Sequence, residues 1–257
     1  LNLQSNILLI VFFIFSAPAF STDLQGQLDA EVNQFITELE QAKGSDLVDL
    51  SNRITSSGLS DKRLFDNVKN IILTKHIDIM SKSKNEEVVI RQVVALLRTL
   101  ASSGNYEYSS TLERLVLESS NRSIRNRAKH VMNKIGFYQQ RNQLMQNLEG
   151  HSNSQSLHTT RILNLLESDD LIMNRFAAEE IFRAGSAAPV VQEWIATRLK
   201  RDLHNAESKL HIDTLAWYCK VLGLVNKPKY SGFLKEIVQD KSVDSKIRKH
   251  TKKILKS

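Results

Sequence analysis

The chain has 257 residues, 41% hydrophobic and 25% charged, with a formal net charge of +7. That balance excludes a disordered chain and supplies enough apolar side chains for a large core. A single cysteine, Cys219, excludes an internal disulfide, and its apolar setting LAWYCKVLG marks a buried, inert thiol rather than a nucleophile.

In chain order, the first feature is the uncharged run ILLIVFFIF at residues 7–15, followed by the small residues Ser16, Ala17, Pro18 and Ala19. Such a run is short for a bilayer span, and the A-x-A stretch behind it predicts a secretory signal peptide over residues 1–21, cleaved after Ala19 or Ser21. An uncleaved N-terminal anchor is the other reading. The leader implies a periplasmic or secreted protein whose mature form has no transmembrane span. Residues 22–60 are expected to form an N-terminal helical cap, and residues 61–257 a repeat array.

From Asp23 onward apolar residues recur at spacings of three and four, as in Leu64, Phe65, Val68, Ile71 and Ile72. Val89, Val93, Leu96 and Leu100 repeat the pattern, then Tyr108, Leu112, Leu115 and Val116, then Ile124, Ala128, Val131 and Ile135. Each set is one face of an amphipathic helix, and with three prolines and no alternating run the chain is predicted to be all-α.

One motif recurs within these helices: an acid or Asn, then an Arg, a small or β-branched residue three later, and an apolar residue six later. It occurs at Arg91, Arg125, Arg175 and Arg248, with His211 as a degenerate copy. Glu87, Asn121, Asp170 and Asp244 precede the arginines, where they would cap free N–H groups and favour the positive end of the helix dipole. Each unit is expected to continue into a second helix after Gly104, Gly136, Gly185 or Gly223, as residues suited to a left-handed helix end. The phrases at residues 102–112 and 224–234 share Tyr, Ser and Leu at the same offsets, and so predict equivalent turns of related hairpins.

The stretches EVVIRQVVALL, NRSIRNRAKHVMNKIG, DLIMNRFAAEEIFRAG and VDSKIRKHTKKIL together resemble the HEAT-repeat family, including the phycobilisome-lyase HEAT-like variant. The resemblance implies a right-handed α-α superhelix of about five helical hairpins, with a concave face suited to an extended protein or peptide, and it imports no chromophore chemistry. The spacing is uneven, since Arg125 and Arg175 stand 50 apart where Arg91 and Arg125 stand 34 apart. The polar segment at residues 149–158 is the expected insertion.

Charge is also uneven: residues 195–257 hold 15 basic against 6 acidic residues, with a dense run at Lys246, Arg248, Lys249, Lys252, Lys253 and Lys256. A second stretch, Arg122 to Arg141, has six Lys or Arg and no acid. The C-terminal run could dock on an anionic envelope surface, lipid or wall polymer, or it could be a solvated end cap. Export argues against nucleic acid as the partner.

No nucleophile elbow, phosphate loop or zinc spacing occurs, so neither a catalytic residue nor a cofactor or metal site is assigned. His204 and His211, with Asp213, were the strongest metal candidates, and His151, His158 and Glu179 the titratable groups that curvature could gather. The aromatic residues Trp194, Trp217, Tyr218 and Phe233 are expected to belong to the core. The function predicted is that of a non-catalytic exported scaffold.

Overall fold

The computed structural model describes the backbone of residues 21–81, 87–149 and 155–256, and the side chains of 24–77, 87–149 and 155–256. Residues 1–20 of the expected leader and His151 lie outside them. Among the described residues all regular structure is helical: thirteen α-helices and one short 3-10 helix, Tyr106–Tyr108. They are α1 (Ser21–Gln41), α2 (Gly44–Ser57), α3 (Lys62–Ser81), α4 (Glu87–Ser102), α5 (Ser109–Glu118), α6 (Arg122–Met132) and α7 (Ile135–Gln146). After these come α8 (Leu157–Glu167), α9 (Leu171–Ala184), α10 (Pro189–Asp202), α11 (Lys209–Val225), α12 (Lys227–Gln239) and α13 (Ser245–Lys256). No described helix is long and apolar enough to cross a membrane.

Consecutive helices pack as hairpins, α1 with α2, α3 with α4, α5 with α6, then α8 with α9, α10 with α11 and α12 with α13. The second helices also stack on one another, α2 on α4 on α6 and α9 on α11 on α13. Each helix thereby buries the apolar stripe its sequence carries: Leu96, Leu97 and Leu100 of α4 are fully buried between α2 and α6. Complete burial of such a side chain stabilises by about 1.5–3 kcal/mol before the cost of ordering it. Side-chain caps start the helices, with Asn121 accepting from the Ser123 and Ile124 N–H groups, Asp170 from Ile172, Ser208 from His211 and Asp244 from Lys246.

The arginine motif falls within the first turns of α4, α6, α9 and α13, with His211 in α11, so it marks the second helix of each hairpin. This corrects the expected phase, in which the arginine helix came first. Only Gly104 and Gly185 have the left-handed backbone expected of them, each at φ 69°. Gly136 lies inside α7 and Gly223 inside α11, where its missing side chain leaves room for Ile254. Small size, not a turn, explains that glycine.

The two related phrases do occupy equivalent places, each leading from a second helix into the next hairpin. Tyr108 and Tyr230 are both buried, and their hydroxyls donate to Asp66 (3.2 Å) and Glu193 (3.4 Å) on the first helix of the preceding hairpin. Lys62 and Lys229 lie over the respective rings.

The extra length between Arg125 and Arg175 is chiefly α7, an additional helix packed on α8 and α4, and not the polar segment at residues 149–158, of which 150–154 lie outside the described residues. The buried core falls into two clusters that meet on this helix: Ile135 and Tyr138 pack with the first, Phe137, Leu144 and Met145 with the second. Helix α7 therefore divides its apolar residues between two cores, with buried polar residues among them, which hides it from a search for one stripe.

The buried polar residues are Arg141 and Asn142. Arg141 donates through Nη1 to the Thr55 carbonyl (2.7 Å) and through Nη2 to the Ser102 carbonyl (3.3 Å), and Asn142 donates to the carbonyls of Leu59, Ser102 and Ser103. These acceptors are at or just beyond the C-terminal ends of α2 and α4, where free carbonyls and the negative dipole end satisfy a cation without a carboxylate. Burial pulls the Arg141 pKa down to about 10, which leaves the guanidinium charged at neutral pH.

Candidate binding groove

The motif side chains share a register and divide in what they do. Arg125 donates to the carbonyls of Ser119 (2.8 Å) and Ser120 (2.7 Å), and Arg248 donates to that of Val243 (3.0 Å), so both fasten the turn before their own helix. In the third of these turns Asn174 does the same work, donating to Leu165, Leu166 and Ser168. Arg175 bridges helices, with Nε 2.8 Å from Glu179 and Nη1 3.1 Å from Asp213 on α11. Lys246 of α13 meets the other Asp213 oxygen at 2.8 Å, which completes a charge row across α9, α11 and α13. Arg91 is exposed and pairs loosely with Glu87 at 3.8 Å. His211 Nε2 stands 3.6 Å from Asp202, while His204 lies 3.7 Å from Asp240.

The two histidines thus attend different carboxylates, and Asp213 is committed to cations. Among the described residues no group of three His, Cys, Asp or Glu is placed to hold a metal ion. Glu179 is held by Arg175 and Arg183, and His158 is exposed on α8. Cys219 is fully buried beside Thr251, and burial pushes its thiol pKa up to about 12. Trp194 packs edge-on against Tyr218, and Phe182 against Trp217, within the second core.

The C-terminal basic run is partly committed. Lys246 pairs with Asp213 and Arg248 with a carbonyl, whereas Lys249, Lys252, Lys253 and Lys256 are exposed on α13 with no ion pair among the described residues.

A groove of about 1170 Å³ crosses α2, α4 and α6, running from Gly44 and Asp49 past Arg91 and Val94 to Arg127 and His130. It continues into a cleft of about 550 Å³ between α6, α7 and α9, and Arg98, Arg127 and His130 line both. Five guanidinium or ammonium groups border the combined channel, those of Arg91, Arg98, Arg127, Lys134 and Arg175, against the carboxylates of Asp49, Glu87 and Glu179. Arg127, His130 and Lys134 make no ion pair among the described residues, and Arg98, bonded to Asn52, keeps a buried Nε with no acceptor.

The stretch from Arg122 to Arg141 thus separates into a turn fastener (Arg125), two groove cations (Arg127 and Lys134), a buried pin (Arg141) and two exposed residues of α6, Arg122 and Lys129. Its lack of acids was the visible signal for the groove; which arginine did which task depended on helix phase and on α7. No protein-family model, curated protein or solved structure matches the chain.

Proposed function

We propose that the protein is a non-catalytic, exported helical-repeat scaffold of the HEAT-like kind that holds an extended acidic segment of a partner protein along the groove over its second helices. The continuous channel past Arg91, Arg98, Arg127 and His130 carries this reading. Stacked hairpins make such a surface long, unpaired cations along it favour carboxylates, and a positive field raises the encounter rate. A fluorescein-labelled Glu/Gly dodecapeptide is the probe. The Arg91→Glu, Arg127→Glu double variant should weaken its binding about tenfold or more near 50 mM salt and by much less at 0.5 M. Equal binding by wild type and variant would remove the groove reading.

The free lysines of α13 support a second reading, an adaptor that docks on an anionic envelope surface. Lys249→Glu, Lys252→Glu and Lys253→Glu together should then release the protein from vesicles containing anionic lipid while leaving peptide binding in place. Unchanged vesicle sedimentation would count against it.

A further inference from the structure

The second helices touch their neighbours within each row, whereas α7 packs mainly on α8 and α4. At α7 the groove runs into the cleft. Its inner wall is apolar: Phe137 and Phe176 meet edge to face at 5.4 Å, Leu210 closes the α11 side, and Ile172, 51% exposed, forms the lip. Arg127 and Lys134 line the same cleft as its cations, with His130 beside them, and the one acid there, Glu179, is already held by Arg175 and Arg183. An apolar recess bordered by unpaired cations suits a large side chain with carboxylates on either side of it in sequence.

We infer that the cleft between α6, α7 and α9 is the anchor subsite of the groove, and that it takes an aromatic side chain flanked by acidic residues in the partner's extended segment. The inference rests on the acidic-segment reading and adds to it the residue that fixes register. An all-acidic strand could slide along a basic channel, since point charges in water specify position weakly. A ring seated against Phe137, Phe176 and Ile172 has one place to go.

The test compares two labelled dodecapeptides, Glu/Gly only and the same with one central Trp, by fluorescence anisotropy near 50 mM salt. Wild type should bind the Trp peptide about tenfold more tightly, as expected for burying an aromatic ring. Ile172→Trp fills the recess and should bring the ratio of the two dissociation constants close to one. Ile172→Gln, which removes apolar lip without filling the cleft, should reduce the ratio about threefold. Both substitutions are at a half-exposed position, and unchanged thermal melts establish that they fold. Equal wild-type affinity for the two peptides, or a ratio that survives Ile172→Trp, overturns the anchor and leaves the groove. Failure of both peptides to bind overturns both.

Discussion

At Gly104 the backbone has φ 69°, and an added Cβ would lie 2.6 Å from the Gln139 Cα on α7. Neither the dihedral nor the neighbouring backbone can give way cheaply, so Gly104→Ala should cost about 2–4 kcal/mol in denaturant unfolding. Gly223→Ala should cost less, because its Cβ would meet the Ile254 side chain at 2.8 Å within regular helix, and that side chain can turn aside. A comparison of the two midpoints checks the order, and the reverse order would refute the backbone-contact account. Glycine positions were legible in the sequence, but their reasons were not: a letter that permits a left-handed turn is also the letter that permits close packing. The arginine motif behaved the same way. Its spacing located five helices but not their place in the hairpins, and the acceptors of Arg125 and Arg175 depend on neighbouring turns and helices that spacing does not encode.

Among the helices, α7 was the hardest to read. Helices such as α4 and α6 present one apolar stripe, and periodicity exposes a stripe directly. Helix α7 divides its apolar residues between two cores and buries Arg141 and Asn142 between them, so its pattern is that of a polar connector. Arg141→Met keeps the length of the side chain but leaves the Thr55 carbonyl without its side-chain donor and the Ser102 carbonyl with Asn142 alone. The expected loss is about 2–4 kcal/mol of unfolding free energy, measured from the shift in denaturant midpoint. A variant as stable as wild type would show that water replaces the guanidinium and that the pin is dispensable.

Across the whole molecule, the charge row through Arg175, Asp213 and Lys246 ties the second stack together. Burial alone would raise the Asp213 pKa, but hydrogen bonding and attraction from Lys246, with further attraction from Arg175, outweigh it and hold the carboxyl below its ordinary 3.8. Asp202 is lowered on the same balance, with Arg201 and Arg198 overcoming burial. A carboxylate depressed in the fold contributes stability that is complete above its unfolded value and is lost as pH falls through the folded one. Thermal midpoints should therefore hold above pH 4 and drop below 3.8, and Asp213→Asn should lower the neutral midpoint while flattening that acid limb. An acid limb of unchanged steepness would mean other carboxylates dominate.

Helix α7 is not the sole join between the two stacks. Arg161 of α8 donates through both Nη atoms to the Glu31 carboxylate of α1, at 2.9 and 2.8 Å, and the Ser56 hydroxyl of α2 donates to Glu180 of α9 at 3.0 Å. Clasps between residues more than a hundred positions apart remove the freedom to hinge at α7, so the two halves of the molecule should turn in solution as one body.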